Sequence, residues 1–134
     1  MTRGNKPKLI PIAGGKGKLP PAPRWMAAEA QAEWKRTGAQ LAARIVLTPD
    51  VLALLETYCI AAGQVIEAEK VMAEEGRTVA GQKGNVALHP LARLQNQAMS
   101  TVCRVAALLE LTPKAQAKTV RKDPADDGWS SLLA

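Results

Sequence analysis

The chain has no phenylalanine and only four aromatic residues, three Trp and one Tyr, with a single histidine and two cysteines among its 134 residues. So few rings disfavour single-strand nucleic-acid recognition, which works by stacking bases on aromatic side chains. One histidine excludes a two-His metal site within one chain, and two cysteines exclude a disulfide framework. Cys59 and Cys103 both fall within helical patterns and are expected to be reduced core residues acting as small hydrophobes. No uncharged run approaches the ~18 residues needed to span a membrane. The start, MTRGNKPKLIPIAGGKGK, has Gly, Pro and Lys where a secretory signal needs an apolar segment. A soluble intracellular protein with no membrane partner is therefore expected. GGKGK lacks the GxxxxGK[ST] spacing of a phosphate-binding loop. The carboxylates are scattered, and no nucleophile has an assignable base, so neither an enzyme nor a cofactor or metal is expected.

What the chain has is helix. In residues 48–76 Thr48 is a good N-cap, Pro49 suits the first helical position, Asp50 faces the positive helix end, and Gly76 is placed to stop the helix in a left-handed conformation. Between them Val51, Leu54, Leu55, Tyr58, Cys59, Ala62, Val65, Ile66 and Met72 recur at helical period. Residues 89–112 repeat the design: Pro90 at the start, then Leu91, Leu94, Ala98, Val102, Val105, Leu108 and Leu109 as a stripe. The connection of residues 77–88 is too short for anything but antiparallel packing. Thr78-Val79 and Val86-Ala87-Leu88 around a turn at residues 81–85 predict a small β-hairpin within it. His89, directly before Pro90, is expected to serve the helix start.

Before this hairpin, residues 25–44 read as a helix bent or broken near Gly38, with Trp25, Ala28, Ala32 and Leu41 toward the hairpin and Trp34 joining them or a neighbouring subunit. The fold class is all-α. An antiparallel helical hairpin is preceded by a bent helix, with helices near 26–44, 49–75, 90–111 and 113–121 in a core spanning 25–121. Much of the 47% hydrophobic content is alanine, which adds little apolar area. So slight a core implies an oligomer.

The net charge of +6 is unevenly placed. Residues 1–24 form a flexible Gly/Pro-interrupted arm with Arg3, Lys6, Lys8, Lys16, Lys18 and Arg24 and no acid, and Lys35, Arg36 and Arg44 follow on the first helix. These nine residues are the candidate DNA contacts, because phosphate is the polyanion that such an arm suits. The tail, 122–134, is acidic and carries Trp129, Leu132 and Leu133, the apolar kind of residue a short docking segment needs. Residues 27–60 also allow a helix-turn-helix regulator, although Pro49, Asp50, Val51 and Leu52 are poor base readers. A third reading is an interaction adaptor whose arm only solubilises.

Five elements in order carry a family resemblance: KLIPIAGGKGKLPPAP, WMAAEAQAEW, LTPDVLALLETYC, VALHPL and AALLELTPKAQAK. Over roughly residues 6–118 the chain resembles the small terminase subunits of tailed bacteriophages, specifically the P27-type group. The resemblance implies a helical, non-enzymatic protein that assembles as a ring in the host cytoplasm. It implies binding to double-stranded phage DNA at packaging initiation and regulation of the large terminase subunit, an ATPase and nuclease. Members commonly carry Leu-Gly-Leu-Thr-Pro where this chain has LELTP, so Glu110 stands in the glycine position, and the arginine that follows is lost or shifted to Lys118.

Overall fold

The computed structural model describes residues 17–113 and Gln116. Three helices, α1 (Ala28–Ala42), α2 (Pro49–Glu75) and α3 (Pro90–Leu108), are joined by a β-hairpin of β1 (Thr78–Ala80) and β2 (Val86–Leu88). The centre is α2, about 40 Å long at 1.5 Å per residue. It packs against α1 on one side and antiparallel to α3 on the other.

The predicted helix signals act locally as expected. The Thr48 hydroxyl accepts a hydrogen bond from the Val51 N–H at 3.4 Å, and Pro49 opens α2. At the other end Gly76 does take a positive φ of 90°, but with ψ 156° it leaves the helix into extended backbone rather than into the left-handed helical region. The strands pair antiparallel, Thr78 opposite Leu88 and Ala80 opposite Val86. Their turn closes with a 2.6 Å bond from the Gly81 N–H to the Asn85 carbonyl, and Lys83 and Gly84 both adopt positive φ. The His89 Nδ1 accepts from the Leu91 N–H at 3.1 Å, while Nε2 lies 2.9 Å from Glu75. One buried imidazole thus caps α3 and ties it to the end of α2.

The principal core lies where the carboxy-terminal ends of α1 and α3 converge on the first half of α2: Trp34, Leu41, Leu55, Cys59, Val105 and Leu109. Burial pushes the Cys59 thiol up to about 12, which keeps it protonated and inert, as a small core hydrophobe should be. Cys103 is exposed on α3, contrary to its expected place in the core, because the α3 face that meets α2 runs through Ala92, Gln95, Ala98 and Val105. Toward the β-hairpin the core thins to Ala68, Met72 and Ala92, with Leu91 beside them.

Two expectations for α1 are corrected. The helix is continuous through Gly38, which is there for space: a Cβ would sit 2.7 Å from the Leu19 side chain. Its inward face is Met26, Ala30, Trp34 and Leu41, whereas Trp25, Ala28 and Ala32 are exposed. Alanine occurs on both the exposed and the buried side of this helix, at Ala28, Ala32 and Ala39 and at Ala30 and Ala42, so its periodicity carries little information about orientation. Long-range contacts set it instead. Gly63 of α2 meets the backbone of Ala30, where a Cβ would lie 2.9 Å from the Ala30 nitrogen. On α3, Leu94 and Leu108 lie outside the core rather than in its stripe. By length and composition alone α2 is apolar enough to cross a membrane, although no uncharged run suggested it.

The end of α3 explains the LELTP corner. Leu111 N–H bonds the Ala106 carbonyl and Glu110 N–H the Ala107 carbonyl, a Schellman arrangement with Glu110 at φ 54°. Leu111 packs back on the principal core. A β-carbon is disfavoured at that φ, so Glu110→Gly is expected to stabilise the protein by about 0.5–1 kcal/mol, read as a rise in thermal midpoint. Beyond it, the Gln116 N–H donates to the Thr112 carbonyl at 3.0 Å. The rest of the expected helix over 113–121 lies outside the described residues.

Candidate nucleic-acid interface

The segment before α1 connects the basic arm to the helices. Residues 17–24, assigned from composition to a flexible arm, run along α1 in the opposite direction. Leu19 covers Gly38, and the Pro20 carbonyl accepts the Trp34 Nε1–H at 2.9 Å. Near the start of α1, the Met26 N–H bonds the Pro23 carbonyl and the Gln31 side-chain amide bonds the Met26 carbonyl at 2.7 Å. Trp34, buried at 2% exposure, is therefore the post to which this strap is tied.

The strap places the candidate cations. Lys18 is exposed next to Leu19, which covers Gly38, and Lys35 is exposed next to Trp34, which bonds Pro20. Arg3, Lys6, Lys8 and Lys16 lie outside the described residues. Arg24 is exposed at the far end of the strap, by the start of α1. That separates it from Lys18 by about ten residues of α1, or roughly 15 Å.

The remaining two predicted contacts are engaged within the protein. Arg36 donates to Glu33 Oε2 through Nε at 3.1 Å and through its terminal nitrogen at 2.5 Å. Glu33 holds the guanidinium above its ordinary pKa. Arg44 donates to the Glu110 carbonyl at 3.3 Å, joining the carboxy-terminal ends of α1 and α3. Of the nine predicted residues, four lie outside the described residues, Lys18, Arg24 and Lys35 are exposed, and Arg36 and Arg44 carry structural bonds.

Glu33 is a site the sequence did not single out. It is buried at 4% exposure, and its second oxygen accepts from the Thr37 hydroxyl at 2.5 Å. Burial, followed by the charge of Glu33, raises the Tyr58 hydroxyl pKa. The signal available in sequence was the Glu33–Arg36–Thr37 spacing on one helical turn. Its consequence is structural, since all of Glu33's partners are within the chain and among the described residues no buried side-chain nitrogen or oxygen lacks a hydrogen bond.

Nor do the described residues contain a group of three His, Cys, Asp or Glu side chains able to hold a metal ion. The start of α2, the candidate reading helix of a helix-turn-helix, packs Val51, Leu52 and Leu54 against the principal core. Those side chains are committed to the fold and cannot read base edges.

Residues 30–126 match the family model described as phage terminase, small subunit. The chain belongs to that family. No curated protein and no solved structure matches it. The matched stretch of this terminase small subunit covers all three helices from Ala30 onward and the β-hairpin, and it reaches into the tail. The arm and the strap precede it. Trp129, Leu132 and Leu133, the candidate docking residues, follow it and lie outside the described residues.

Proposed function

We propose that this terminase small subunit recognises double-stranded viral DNA at packaging initiation and regulates the ATPase and nuclease activities of the large terminase subunit, without catalysis of its own. It acts in the host cytoplasm as a ring of identical chains. Family membership carries this reading. The basic composition of the arm supports its DNA half, and the exposed Lys18, Arg24 and Lys35 extend that charge onto the described surface. The arm follows the phosphate backbone, with Lys18 and Lys35 at its root and Arg24 as a separate contact. Arg36 and Arg44 contribute less, because their guanidinium groups already serve Glu33 and the Glu110 carbonyl. Trp129, Leu132 and Leu133 are the segment offered to the large subunit.

Salt dependence tests the arm. Seven neutralised phosphates, one for each of Arg3, Lys6, Lys8, Lys16, Lys18, Arg24 and Lys35, give a slope of log K against log salt of about −6, at about −0.9 per contact. Removing residues 1–16 takes away Arg3, Lys6, Lys8 and Lys16 while leaving the strap in place, and the slope is expected to fall to about −3. An affinity indifferent to salt, or a slope unchanged by the deletion, would overturn the arm's role.

A further inference from the structure

Each strand of the β-hairpin has only the other for a neighbour. The Gly81 N–H bonds the Asn85 carbonyl and the His89 N–H bonds the Arg77 carbonyl, so by the alternation of an antiparallel ladder Val79 and Ala87 are the bonded pair between them. The N–H and C=O groups of Val86 and Leu88 therefore point outward along the free edge of β2. Their side chains are exposed too, at 77% and 60%, and β2 contains neither a charge nor a proline to keep another strand away. A pocket of about 270 Å³ formed by Leu88, His89, Pro90 and Arg93 continues this edge onto α3. That helix has no acidic residue. Its two charges, Arg93 and Arg104, are exposed, and among the described residues neither is paired with a carboxylate. They stand three turns apart, about 16 Å along one face of the helix.

We infer that the chain's own acidic tail runs back along α3 and adds to β2 as a third strand. Charge selects this occupant. Residues 123–134 carry Asp123, Asp126 and Asp127 and no basic residue, the complement of a helix with two unpaired arginines and no acid. Reach allows it: α3 places the start of the tail about 27 Å from β2, and residues 114–127 extend to about 45 Å. Trp129 and Leu133, at i and i+4, fall on one face of a strand, where they cover Val86 and Leu88. The edge of β1 offers only Thr78 and Ala80, and Arg77 before it is already tied to Glu69. Main-chain hydrogen bonds hold the added strand, while Arg104 and Arg93 guide its carboxylates. A tail held in this way is withheld from other proteins, so the large-subunit contact proposed above begins with its release. The docking itself does not depend on that reading.

Hydrogen exchange resolved to single amides tests this on the full chain. The Val86 and Leu88 amides are expected to exchange about tenfold slower in wild type than in a variant with Trp129→Ser and Leu133→Ser. Ala87, bonded within the hairpin, is expected to stay protected in both, which shows that the hairpin is intact. A synthetic peptide of residues 122–134 added to the variant is expected to restore slow exchange at the two edge amides. Arg93→Glu is expected to release the same two amides in the full chain, and Asp126→Arg with Asp127→Arg to protect them again in that background. Edge amides that exchange in wild type as unbonded groups do would overturn the inference. So would slow exchange that survives the tail substitutions, since a second copy would then cover the edge, or an Arg93→Glu chain that exchanges like wild type. Binding of the large subunit, measured on the same tail variant, separates the two readings. Faster exchange with binding retained keeps this inference and removes the proposed docking residues, whereas unchanged exchange with binding lost does the reverse.

Discussion

Trp34→Ala is expected to cost about 3–5 kcal/mol, enough to unfold much of the protein at ambient temperature. The indole is nearly fully buried in the principal core, and its ring is the largest side chain there. Alanine leaves a cavity between α1, α2 and the strap. It also strands the Pro20 carbonyl, which accepts the indole N–H at 2.9 Å. Trp34→Phe separates the two effects. It retains most of the apolar volume and loses the hydrogen bond to the half-buried Pro20 carbonyl, at about 0.5–1.5 kcal/mol. In that variant the helices are expected to persist by circular dichroism, while trypsin cuts faster after Lys18 and Arg24 because the strap has lost its anchor. Equal protease resistance in wild type and Trp34→Phe would show that the strap is held by Leu19 alone.

Gly63→Val is expected to lose about 3 kcal/mol, near the upper end of the usual cost of overpacking. Local propensity points the other way, since glycine within a helix is about 1 kcal/mol worse than alanine. The crossing of α1 and α2 decides the sign. A Cβ at position 63 lies 2.9 Å from the Ala30 nitrogen and 3.1 Å from its Cα, and backbone cannot rotate aside. Valine adds two methyl groups in the same space, so α1 must lift from α2. Gly38→Ala is the contrasting case: its Cβ meets only the end of the Leu19 side chain, which can turn away. Near-neutral stability is expected there, measured by denaturant midpoint for both variants. A Gly63→Val protein as stable as wild type would mean that the close approach to Ala30 is not a constraint.

Much of the fold was legible because its signals are local. Thr48-Pro49 and Gly76 bound α2 through capping chemistry that involves only neighbouring residues. The β-hairpin follows from short β-prone segments around Gly81 and Gly84. His89 was recognisable as a helix-start residue by its place before Pro90, although its link to Glu75 was not, since fourteen residues separate them. Glu110 was seen to stand where family members commonly carry glycine, but its left-handed backbone is known only from the structure. Of the candidate site, the arm's charge was legible, while the engagement of Arg36 and Arg44 was not. Arg44 finds the Glu110 carbonyl 66 residues away, a pairing no local pattern contains.

Spacing and charge along the chain therefore determined the helices of the core, the antiparallel hairpin and the basic charge of the arm, while five motifs in order carried the resemblance to the family. The orientation of α1, the strap tied to Trp34, and the placing of Leu94 and Leu108 outside the core were settled by packing. An alanine-rich helix has no strong apolar side of its own, so its facing is set by where Gly63 permits close approach and where Leu19 and Trp34 can be buried together. Ile66 of α2, expected in the buried stripe, is left at the surface likewise, because a helix flanked by one neighbour on each side keeps two faces that sequence periodicity cannot tell from core.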